Sequence, residues 1–216
     1  YDGRNDTIDS SPTNNNYTAT LKTDYASSAV SYKMDYRWFF QSNTTYKKDL
    51  SVVSSLFSSA IYSGSGMNIY DSSKTDNVNS TSIATIMKYH GLTNVEVYKL
   101  SSNYSDSDLS EVAIGYRPVT YNGVTKNVIS VIVRGTNGTI QEWSSNFDLG
   151  DTTKFSNYAD WTKSTNHKGF DVTANRIIKK LNSYLTSKGI SSASNVYWVT
   201  GHSRGAAIAN IIGAKL

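Results

Sequence analysis

The stretch Gly201-His202-Ser203-Arg204-Gly205 constrains the fold of this chain more than any other, because of what flanks it. Val196-Tyr197-Trp198-Val199-Thr200 precedes it as an apolar run of strand length, and Ala206-Ala207-Ile208-Ala209 follows as a small-residue helix start. Strand, sharp turn and helix, with a serine at the turn, is the pattern of a nucleophile elbow. A serine held at such a corner needs neighbours without bulk, so Gly201 and Gly205 are the expected elbow glycines. Ala206, Ala207 and Ala209 should keep the first turns of the helix thin enough to lie close to a sheet. The start of that helix directs backbone N–H groups and positive dipole toward the serine, where an anion would be stabilised. The expected chemistry is nucleophilic catalysis by Ser203 in a serine hydrolase.

A second stretch, Val128-Ile129-Ser130-Val131-Ile132-Val133, has five β-branched apolar residues in six. It is too short for a helix and too continuous for a half-exposed strand, so it predicts a central, buried strand. Arg134-Gly135-Thr136 ends it. Reacting groups in open α/β sheets gather beyond the carboxyl ends of strands, so this end and Ser203 are expected to face one crevice. The backbone N–H groups of Thr136 and Arg204 are then candidates for the oxyanion-hole donors that hold a tetrahedral intermediate.

On these residues the chain resembles the class 3 lipase family, the fungal-type lipases of the α/β-hydrolase superfamily. Val131 to Thr136 is similar to the family's strand ending in Arg-Gly-Thr or Arg-Gly-Ser, and Trp143 through Asn146-Phe147-Asp148-Leu149 to its tryptophan-bearing lid and following strand. His167-Lys168-Gly169-Phe170 resembles the His-x-Gly-Phe turn, and Thr200 to Ala207 resembles the family's Thr-Gly-His-Ser-Leu-Gly-Gly-Ala. Four blocks in order, from about Val112 onward, are far more specific than one motif. The resemblance implies an α/β-hydrolase-like sheet with flanking helices, an ester or lipid substrate, no metal and no organic cofactor. It also implies a lid between Thr136 and Phe147, with Ile140 and Trp143 as the candidates to cover the crevice and Gly138 as a hinge.

The same resemblance implies an Asp and a His downstream of the elbow, and Leu216 lies only 13 residues past Ser203. The expectation is therefore a chain that lacks the C-terminal strands bearing these two residues, with a companion C-terminal fragment supplying them. None of the three histidines present fits the role of base: His202 sits beside the serine, where neighbouring side chains diverge. His167 falls in a structural turn, and His90 falls at a helix C-terminus. Arg204 stands where the family has Leu. Its guanidinium either lies beside the reaction site, favouring polar or anionic acyl groups, or turns outward to a carboxylate.

Composition narrows the remaining classes. Sixteen Tyr supply much of the core bulk, and cysteine is absent, which excludes disulfide staples and thiol catalysis. The net charge of +4 comes from scattered Lys and Arg with no run of three, so a solvated surface is expected rather than a nucleic-acid partner. Ser, Thr and Asn fill the surface, and no apolar run is long enough for a transmembrane segment. A processed, extracellular or cell-surface bacterial protein would have this character.

Residues 1–32 are polar with little periodicity and predict an arm or linker, leaving 33–216 as the lipase-like domain. An aromatic cluster at Tyr36 to Phe40 should dock on the core. Helices are expected from Tyr46 to Ile61, from Thr81 to Tyr89 and from Phe170 to Ser187, each with one apolar face. Strands are expected at Asn94 to Leu100, Glu111 to Thr120 and Val124 to Arg134, the last two joined by a hairpin at Asn122-Gly123. Pro118 suggests that the first of that pair lies near an edge. Two other readings stay open: a lipase-like binding module without catalysis, and an acyltransferase or amidase on the same elbow.

Overall fold

The computed structural model describes residues 16–22, 27–42, 44–62, 67–71, 77–80, 82–101, 109–136 and 168–216. In chain order these form β1 (Asn16–Lys22), β2 (Ser27–Lys33), a 3-10 turn (Tyr36–Phe40), α1 (Lys48–Ala60), β3 (Met67–Asp71) and β4 (Asn77–Ser80). There follow α2 (Ile83–Tyr89), β5 (Thr93–Ser101), β6 (Leu109–Tyr121), β7 (Val124–Val133), α3 (Lys168–Ser187), β8 (Asn195–Gly201) and α4 (Arg204–Lys215).

The main sheet has the order β5-β6-β7-β8. Its first three strands are antiparallel, and β8 joins β7 in parallel, with Asn127 opposite Asn195 and Val133 opposite Gly201. A parallel neighbour requires a crossover, and α3 lies in that connection. Six consecutive residues of β7, 128 to 133, are fully buried, because helices cover both faces. Val128 and Ile132 pack with α1, α2 and Trp198 on one face. Ile129, Val131 and Val133 pack with Ala174, Ile177 and Leu181 of α3 and Ile208 and Ile212 of α4 on the other.

The Asn122-Gly123 hairpin forms as expected, with φ of 51° and 75° at its two central residues. That pair of left-handed residues matches the twist of the flanking strands. The edge expectation for Pro118 needs correction: β6 lies between β5 and β7. Its pairing with β5 stops at Tyr116, however, so Pro118 sits in an overhang that pairs with β7 alone and needs no second ladder donor.

The stretch read as an irregular polar arm contains strands. β1 and β2 pair antiparallel, and β3 and β4 extend them into a second sheet of order β2-β1-β3-β4. The aromatic cluster does dock on the core: Phe39 lies 5.7 Å from Trp198, ring centre to ring centre, and Tyr36 donates to the His90 carbonyl at 2.8 Å.

Asp35 starts that turn by accepting from the Arg37 backbone N–H at 2.9 Å and from its Nε at 2.8 Å. Burial works against the charge, but the Arg37 hydrogen bonds and charge outweigh it and hold the Asp35 carboxyl below its usual range. A lowered carboxylate stabilises the fold above its unfolded pKa and loses that contribution as pH falls through the folded one. Asp35→Asn should therefore cost roughly 0.5–1 kcal/mol at pH 7. Urea unfolding at pH 7 and pH 3 should show the gap between variant and native chain closing in acid.

Candidate active site

The corner at Ser203 takes its shape from close backbone approaches. β8 ends at Gly201, and α4 begins at Arg204. Between them Ser203 adopts φ 56° and ψ −126°, a left-handed φ that a side-chain-bearing residue adopts at a cost of about 1–3 kcal/mol. Although Ser203 occupies the N-cap position of α4, its side chain makes no capping hydrogen bond, and the residue is exposed. Serine at this position ordinarily caps its helix from an extended backbone; here the positive φ takes that role away.

Both elbow glycines are required by space. A Cβ on Gly205 would lie 2.3 Å from the Val133 carbonyl oxygen, and one on Gly201 would lie 2.5 Å from the Gly205 carbonyl. α4 thus presses onto the end of β7 through Gly205, Ile208 and Ala209. The expectation for Ala206 is corrected: it is exposed, so the close approach depends on Gly205.

The end of β7 meets the elbow. A Cβ on Gly135 would stand 2.4 Å from the His202 carbonyl oxygen and 3.3 Å from Ser203 Cβ. Thr136, half-buried, is the next residue, and the two strand ends are flush through the Val133–Gly201 pairing. Arg134 fixes this strand end twice: its backbone N–H donates to the Glu111 carbonyl at 2.9 Å, and its Nη1 donates to Glu111 Oε2 at 2.9 Å. Both side chains are nearly buried, at 8% and 12% exposure.

Arg204 is 5% exposed, so its guanidinium is buried rather than extended into solvent. Its backbone N–H leads α4, where helix amides and dipole point toward the corner. The Gly205 and Ala206 amides turn back to the His202 and Ser203 carbonyls, at 2.9 Å each.

Neither described histidine is poised on the serine. His90, 2% exposed, directs Nδ1 at the Ile86 carbonyl (2.8 Å) and Nε2 at the Tyr32 hydroxyl (2.7 Å). A carbonyl can only accept, so Nδ1 carries the proton of that bond. His202 is exposed, with Nδ1 3.2 Å from the Tyr62 hydroxyl. His167, Gly138 and the lid candidates Ile140 and Trp143 lie outside the described residues. Among the described residues there is no group of three or more His, Asp or Glu side chains that could hold a metal, and no helix long and apolar enough to cross a membrane.

Two residues at this site carry no local signal in the sequence. Glu111 reads only as the charged start of a strand, and Tyr62 reads as the residue after a helix. Each reaches the site through long-range contacts.

Among the described residues β8 pairs with β7 alone. A groove of about 720 Å³ is lined by Tyr197, Val199 and Gly201 of β8 and by Ala206, Asn210 and Ala214 of α4.

A four-stranded mixed sheet with helices on both faces is an α/β arrangement compatible with an α/β-hydrolase-like fold. Residues 130–216, from the middle of β7 through α4, match the family described as lipase (class 3), which agrees with the class 3 lipases of the α/β-hydrolase superfamily. That family points to a hydrolase of the lipase/esterase type. No curated protein and no solved structure matches the chain.

Proposed function

We propose that this chain is the nucleophile-bearing part of a serine carboxylic-ester hydrolase that works through an acyl-enzyme at Ser203. The observation that carries the reading is the strained, non-capping serine set against the end of β7. Strain of this kind persists only where the surroundings over-determine it, and here two glycines and two strand ends do so. Ser203 Oγ attacks the ester carbonyl, a base takes its proton, and the Thr136 and Arg204 amides hold the oxyanion. The alcohol then leaves, and water releases the acyl group.

The Asp and His are proposed to come from a companion C-terminal segment. The second edge of β8, which pairs with no strand among the described residues, supports this, since a further parallel strand added there would end beside Ser203.

The test is a fluorophosphonate probe and a short-chain nitrophenyl ester applied to the natural full-length protein. Labelling should map to Ser203, and Ser203→Ala should abolish both labelling and turnover, leaving the thermal midpoint close to native. A folded full-length protein that takes no label would instead favour the binding-module reading.

A further inference from the structure

Four serines of α1 divide by what they bond. Ser51 and Ser55 donate to carbonyls four residues back in their own helix, those of Lys47 at 3.2 Å and Ser51 at 2.9 Å. Ser54 and Ser58 reach across to β8 instead. Ser54 Oγ accepts from Trp198 Nε1 at 2.9 Å, and Ser58 Oγ lies 3.1 Å from Thr200 Oγ1. One step further, past the ends of both elements, the Tyr62 hydroxyl and His202 Nδ1 meet at 3.2 Å. Four residues of helix rise about 6.0 Å and two residues of strand about 6.6 Å, so positions 54, 58 and 62 keep step with 198, 200 and 202. α1 therefore lies along β8 as a ruler that ends at the serine corner.

The Ser58–Thr200 rung is the one set into the core. Ser58 is 5% exposed, on a helix that also buries Val53, Leu56, Phe57 and Ala60. Packing alone does not call for a serine there, since alanine would fill such a face without desolvating a hydroxyl. What the hydroxyl adds is a directional tie. Pairing with β7 sets Thr200 opposite Ile132 and so fixes the strand end within the plane of the sheet. Its height above that plane is left to the layer that covers it, and the tie from α1 falls on the last residue before Gly201. Three residues on, Ser203 holds φ at 56°, a conformation that lasts only where its surroundings hold it.

We propose that Ser58 is a positioning residue for Ser203: its hydroxyl bond to Thr200 holds the end of β8 at the height where the nucleophile faces Gly135-Thr136. Ser58 acts through Thr200 and the turn that follows, not on the substrate. This role rests on the acyl-enzyme reading of Ser203 and adds the element that orients the elbow.

The test uses the full-length protein, well below its thermal midpoint. Ser58→Ala and Thr200→Val should each lower kcat for a short-chain ester and the fluorophosphonate labelling rate by about 10-fold, with KM little changed, because a displaced nucleophile costs rate rather than binding. Both variants break the same bond, so the double variant should also stand about 10-fold down, not about 100-fold. Thr200→Ser keeps the hydroxyl and should retain the native rate, as should the control Ser55→Ala, whose hydroxyl bonds within its own helix. Native rates in both Ser58→Ala and Thr200→Val, with or without a lower thermal midpoint, would overturn the inference. Losses that multiply in the double variant, or a Thr200→Ser protein as slow as Thr200→Val, would overturn it too. In each of these cases labelling of the native protein at Ser203 leaves the acyl-enzyme standing. A native protein that takes no label at Ser203 would overturn both.

Discussion

Gly205→Ala is expected to destabilise the chain by roughly 3 kcal/mol or more and to abolish labelling of Ser203. The added methyl would stand 2.3 Å from the Val133 carbonyl oxygen and 2.9 and 3.0 Å from the Arg134 carbonyl carbon and oxygen. All three obstacles are backbone atoms of the central strand, so no rotamer change relieves them. Either α4 lifts off the sheet or the end of β7 shifts, and both movements separate Ser203 from Thr136. Gly213, on the same helix, is the control. A Cβ there meets nothing within 4 Å, so Gly213→Ala should stabilise by about 0.5–1 kcal/mol through helix propensity alone. Opposite signs for the two substitutions in urea unfolding would establish that steric contact at the elbow, rather than helix propensity, sets the requirement at Gly205. Equal effects would refute it.

Glu111→Ala should cost about 3–5 kcal/mol, as expected when one member of a buried ion pair is removed. The variant leaves the Arg134 guanidinium, at 8% exposure, without the carboxylate it faces. The double variant Glu111→Leu, Arg134→Met should recover most of the loss, because removing both charges also removes their desolvation cost. The variants separate two roles of the pair. If the ion pair serves only stability, the double variant should also regain full labelling at Ser203. If it positions Gly135-Thr136, stability returns and the labelling rate does not. A cost below 1 kcal/mol in the single variant would mean that the pair behaves as an exposed one.

What the sequence makes legible follows from the range of the interactions involved. The elbow can be read because Gly201, Ser203 and Gly205 impose their geometry on one another within five residues, and the Asn122-Gly123 hairpin because its turn chemistry is local. The burial of β7 is legible too, since a strand covered on both faces needs a continuous apolar run. β1 and β2 are not: segments such as Asn16-Tyr17-Thr18-Ala19-Thr20 hide strand preference in polar Thr and Tyr without a clear alternation. Tyr62 and Glu111 escape for a different reason. Tyr62 meets His202 across 140 residues, and Glu111 meets Arg134 across 23, so only the assembled sheet brings them to the serine.

The parallel pairing of β7 with β8 places the two halves of the corner at opposite ends of a long connection: Asn127 and Asn195, partners at its start, are 68 residues apart. The β6–β7 hairpin closes over a two-residue turn, whereas docking β8 must gather that whole connection, at a loop-closure entropy that the hairpin never meets. Chain topology thus makes the meeting of the β7 end with the locally encoded elbow depend on the longest-range strand pairing of this sheet. The strained Ser203 backbone belongs to a molecule that has completed this crossover, so an incompletely folded chain carries the proposed nucleophile without the geometry on which its proposed role depends.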